Sequence, residues 1–141
     1  MTDDTEKAFE QRQQRLGDKR ETSGRIGETT RFIAFGIIAL VFTIHGSDSA
    51  IATGIITRHE ALLNAAGLVA CLSVLSDYLQ YVCGYFSVDH ALTRKDNAYT
   101  YDSTTWVYRG RSFFFWAKQV LAFLGAAIVV GLMSGAMISG S

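Results

Sequence analysis

Three apolar stretches interrupt an otherwise polar chain, at about residues 30–46, 61–86 and 112–138. Runs of this kind read as membrane-crossing helices, because a helix satisfies its own backbone in a solvent that offers no hydrogen bonds. The first is short. Its uninterrupted core, residues 32–45, covers ~21 Å at 1.5 Å per residue, less than the ~30 Å hydrocarbon layer. It must extend into residues 29–31, thin the bilayer locally, or be helped by residues 50–57. That second piece is too short to span and is expected to lie in the interface or dip back as a re-entrant segment. The second span is expected to continue as a helix towards Lys95. The predicted fold is therefore an all-α integral membrane protein, an oligomeric bundle of three transmembrane helices. Residues 1–30 form a polar cytoplasmic helix and joint, and residues 31–141 the three-span membrane domain.

Helical spacing divides the second span into two faces. Ala66, Ala70, Ser73, Asp77, Gln80 and Gly84 recur at steps of four, three, four, three and four, so they share one side. All are small or polar, and such a face belongs against protein or water. Asp77 is the sharpest signal on it, since an ionisable group at this depth must face a partner helix or a wet path. Three roles stay open for it: a buried hydrogen-bonding residue, a pore-lining or gating carboxylate, or a proton relay. The relay lacks a second intramembrane carboxylate or histidine. Lys118, in the third span, is a candidate partner, since counting from the cytoplasmic end puts the two residues within ~4–5 Å of one depth. Alternatively, Lys118 snorkels to the headgroups.

The third span carries a ladder of small residues, Ala127, Gly131, Gly135 and Ser139, each four apart. Such a ladder lets backbones approach closely and predicts a helix contact, either within one protomer or between subunits.

Charge orients these spans. Cations cluster in the N-terminal segment and in the loop 87–111, with only Arg58 between the first two spans. The positive-inside rule then places the N-terminus and that loop in the cytoplasm and the C-terminus outside. The bacterial inner membrane is the expected location. The mixed-charge segment ahead of the first span does not fit a secretory signal. Residues 3–20 suit a helix, acidic at the start and basic at the end, while Gly17, Gly24 and Gly27 suggest a flexible joint over 21–30. Cys71 and Cys83 lie twelve apart on one expected helix, cannot bridge each other, and read as packing residues.

The cytoplasmic loop interleaves Arg94, Lys95, Tyr99, Tyr101, Trp106, Arg109 and Arg111. Aromatic and basic residues together suit an anionic ligand with bases to stack, such as a nucleotide or oligonucleotide. Positive-inside topology and interfacial aromatics account for the same residues more simply. His45, His59 and His90 share no spacing with a nucleophile or carboxylate, so neither enzymatic chemistry nor a metal or cofactor is expected.

In layout, the polar helix 3–20, the three short spans and the Ser73/Asp77/Gln80 face resemble the small transmembrane effectors of bacterial anti-phage defence operons. The resemblance implies a homo-oligomeric channel that perturbs the membrane when a nucleotide, oligonucleotide or protein partner opens it. The alternative is a non-conducting anchor or scaffold subunit that docks a partner membrane protein.

Overall fold

The computed structural model describes residues 2–92 and 105–139. They form three helices, α1 (Thr2–His45), α2 (Ala50–Leu92) and α3 (Trp106–Ser139). Each contains a stretch long and apolar enough to cross a membrane, within Phe9–His45, Ala50–Asp89 and Trp106–Ile138. The chain has no proline, so a helix ends only where turn residues compete for its backbone. Gly46, Ser47, Asp48 and Ser49 do this after α1. The Ser49 hydroxyl accepts from the Ala52 amide at 3.2 Å and caps α2. Ser47 braces that cap through its own hydroxyl, 3.1 Å from that of Ser49.

The helices pack up, down and up. Gly27, Ile37 and Ile44 of α1 lie level with Lys118, Gly125 and Leu132 of α3, and α2 runs the other way between them. Each helix contributes a seam of alternating three- and four-residue steps. In α1 it is Gly27, Thr30, Ala34, Ile37, Val41 and Ile44; in α2 it begins at Leu63 and runs through Ala66, Ala70, Ser73 and Asp77; in α3 it is Lys118, Ala122, Gly125, Val129 and Leu132. Such steps keep a seam facing its neighbours along a left-handed bundle. Small residues on it bring the backbones close. A Cβ on Gly125 would stand 3.1 Å from Ile37 Cδ1 and 3.5 Å from the Ala66 carbonyl oxygen.

The structure bears on three expectations. The joint over 21–30 is helical, and α1 passes through it unbroken. The steps from Gly27 to Thr30 and Ala34 already belong to the packing seam, so neighbouring helices hold the last residues of this stretch, 27–30, in place. Beyond it, residues 9–26 are exposed apart from half-buried Ser23, so this part of α1 stands clear of the bundle. Residues 50–57 are helical and run on, across a kink, into the second expected span. They form the first leg of α2, which bends at His59 (φ −140°, ψ 27°). In the turn before the bend the Thr57 hydroxyl donates to the Thr53 carbonyl, a back-bond that favours bending. The bent leg delivers Ala52 and Ile55 into a core with Ile44, Leu63 and Leu132. Finally, α2 continues past Phe86 to Leu92, in the direction expected, and α3 starts at Trp106, inside the segment 87–111.

Leu63 is wholly buried, and Leu63→Ala tests how tightly that end is packed. If the unfolded helices stay in an apolar solvent, the transfer contribution drops out and the cavity contribution remains, about 2 kcal/mol. Unfolding by denaturing detergent in mixed micelles would measure it. A loss under ~0.5 kcal/mol would mean that the helices close into the vacated space.

Candidate functional site

One carboxylate ties the three helices together. Asp77 sits on the buried seam of α2, one turn after Ser73. Lys118 of α3 donates from Nζ to Asp77 Oδ1, and both side chains are almost fully enclosed, 3% and 8% exposed. Arg31 of α1 occupies the other oxygen, with Nε 3.0 Å from Oδ2 in an ion pair whose N–H is not aligned for a hydrogen bond. Its Nη2 donates to the Tyr81 hydroxyl at 2.9 Å, and the guanidinium lies 5.7 Å from the centre of that ring. Ser73 Oγ donates to the Lys118 carbonyl at 2.7 Å, which fixes the position of α3 on α2 at this level.

Local sequence makes room for the ammonium group. A Cβ on Gly27 would stand 3.2 Å from Lys118 Nζ, so glycine at this position lets the α1 backbone close over the lysine without displacing its ammonium by a few tenths of an ångström. Phe115, almost one turn before Lys118, places its ring centre 5.6 Å from the same nitrogen, a further electrostatic contact for a desolvated cation. The cluster holds two cations and one carboxylate, which leaves one positive charge in excess.

The proposed Asp77–Lys118 pairing is thus present, within one protomer. The arginine beside it is the residue that sequence reasoning missed. Arg31 had counted only as one of many N-terminal cations, yet it lies one turn beyond Gly27 and directly precedes the first apolar run. That position was the available signal.

Other expected site residues are distributed less evenly. Ser73 and Asp77 are buried among α1, α2 and α3. Gln80 is half-buried and its Oε1 has no partner, so it does not join the cluster. Gly84 is partly covered by the Arg111 side chain, about 4.0 Å from where its Cβ would be. On α3 the ladder is not the internal seam. Ala127, Gly131 and Gly135 are exposed, and a Cβ on Gly131 would meet nothing within 4 Å. Ser139 closes the helix, and its side chain lies outside the described set. Gly125 makes the close internal approach that the ladder was a candidate for.

Of the aromatic-basic loop, Arg94, Lys95, Tyr99 and Tyr101 lie outside the described residues. Trp106, Arg109 and Arg111 are exposed on the first turns of α3. They do not converge: Arg111 lies against Gly84, while Arg109 borders a shallow groove with Phe113 and Trp116. Among the described residues, no three His, Cys, Asp or Glu side chains come together as metal ligands would.

Chemically, the cluster can hold helices in register and can attract an anion. Compared with family models, curated proteins and solved structures, the chain matches none.

Proposed function

We propose that this chain is a non-enzymatic membrane anchor, a scaffold subunit of a bacterial inner membrane with its N-terminus in the cytoplasm and its C-terminus outside. The projecting half of α1 would present a rigid handle to cytoplasmic partners, and the outward ladder of α3 would meet a partner membrane helix. The observation that carries this reading is the occupancy of Asp77. Each of its oxygens faces a cation of the same protomer, so the carboxylate acts as a clamp between helices. A carboxylate engaged in this way offers no charge to passing ions.

The exposed ladder favours a second reading, a homo-oligomeric channel of the kind implied by the resemblance to anti-phage effectors. Copies of α3 meeting along Ala127, Gly131 and Gly135 would enclose a path between protomers. A nucleotide, oligonucleotide or protein regulator would then act on α1 or on the loop after α2.

Cysteine labelling separates the two. In a background lacking Cys71 and Cys83, Ser73→Cys should resist a water-soluble thiol reagent while Arg109→Cys reacts readily. Reaction at position 73 as fast as at 109 would place water beside Asp77 and favour the channel.

A further inference from the structure

The ion cluster is unbalanced, and its unbalanced member faces outward. Asp77 is shared by two cations. Lys118 is enclosed, but the Arg31 side chain is 41% exposed. A guanidinium has five N–H donors. In Arg31, Nε faces Asp77 and one Nη2 proton goes to Tyr81, while Nη1 has no acceptor among the described residues. The nearest acid along α1, Glu28, is exposed and forms no ion pair with it. Because the Tyr81 hydroxyl accepts from Arg31, its own proton is free to donate elsewhere.

The surroundings of this fork fit one ligand chemistry. Tyr78, Tyr81 and Tyr85 follow at steps of three and four on α2, and all are exposed, from 58% to 71%. Three tyrosines on one open helix face suit the headgroup layer, where an apolar ring meets a polar edge. Arg31 stands at the N-terminal limit of its apolar run, so its head reaches the same layer while its stem stays among hydrocarbon.

We propose that Arg31 and Tyr81, where α1 meets α2, bind the phosphate of an anionic phospholipid from the leaflet on the N-terminal side. Nη1 and the remaining Nη2 proton of Arg31 grip two phosphate oxygens, and the Tyr81 hydroxyl donates to one of them. The lipid's charge offsets the excess of the cluster, as at basic pockets between membrane helices. This inference rests on the membrane reading above, but not on whether the assembly conducts.

The test is lipid retention, measured by native mass spectrometry on the full chain released from nanodiscs of equimolar phosphatidylglycerol and phosphatidylcholine. Both lipids carry the phosphate, but the choline ammonium cancels its charge, so wild type should retain phosphatidylglycerol about fivefold over phosphatidylcholine, the scale of one basic residue at an anionic membrane surface. Arg31→Gln should abolish the preference, and Arg109→Gln should leave it intact. Tyr81→Phe, which leaves the ion cluster in place, should lower the amount of phosphatidylglycerol retained about threefold and decides the matter if Arg31→Gln does not fold. Glycerol phosphate, the headgroup without its chains, should not displace the lipid at equal concentration. Equal retention of both lipids by wild type, or unchanged phosphatidylglycerol retention in Tyr81→Phe and Arg31→Gln, would overturn the site. Displacement by glycerol phosphate would overturn the lipid as its source. Failure to enter the nanodisc bilayer would overturn the membrane reading and this site with it.

Discussion

Asp77→Ala should destabilise the bundle by about 3–5 kcal/mol, the expected cost of leaving a buried cation without its counter-charge. Lys118 would suffer most. Its Nζ is enclosed by α1, α2 and the Phe115 ring and has nowhere to extend, whereas Arg31 can swing towards the surface. Lys118→Met should cost less, because Arg31 still faces the carboxylate. Replacing both, Asp77→Leu with Lys118→Met, should recover most of the stability lost in Asp77→Ala. A buried pair exchanged for apolar groups of similar volume is often neutral, while a broken pair is not. Denaturant titration of the three variants in mixed micelles would give this order. If Asp77→Ala unfolded no more easily than wild type, water would already be solvating the cluster, and the clamp would not be the source of the bundle's register.

Gly125→Leu is the second large effect expected. The site has no room for a side chain larger than a methyl group, with Ile37 Cδ1 at 3.1 Å and the Ala66 carbonyl at 3.5 Å from the position of a Cβ. Ile37 can move a methyl group, so Gly125→Ala should be mild. A leucine must push back the α2 backbone, which costs about 1–3 kcal/mol or more. The matched variant Gly131→Leu, six residues along the same helix, has open space in the protomer and should leave its stability unchanged. Size-exclusion chromatography with light scattering then gives Gly131→Leu a separate meaning. A drop in subunit number at unchanged protomer stability would assign the outer ladder to self-association. An unchanged assembly would leave that ladder to lipid or to a different partner helix.

The two glycines show where reasoning from sequence succeeds and where it stops. The ladder 127–131–135–139 stood out because four small residues recur at one spacing. The seam actually used within the protomer, Lys118, Ala122, Gly125, Val129 and Leu132, mixes a cation, small residues and aliphatics, so nothing in its composition marks it. The α1 seam was hidden for the same reason. In α2 the small and polar residues happened to coincide with the packed face, and there the pattern and the structure agree from Ala66 to Asp77.

Sequence alone determined the three apolar stretches, the polar character of the first thirty residues and the packed face of α2 from Ala66 to Asp77. These are consequences of local composition and of a 3.6-residue period, which each segment carries with it. Only the tertiary structure decided which faces meet. The relative rotation of three helices is set by all their side chains at once, and a small-residue ladder is compatible with either an internal or an external contact. A cation at the edge of a span can reach for headgroups or turn inward. Lys118 turns inward because Gly27 leaves space for its ammonium and Asp77 stands opposite. Arg31 does both, holding Asp77 with one edge of its guanidinium and leaving the other open, a division that depends on the distance between α1 and α2.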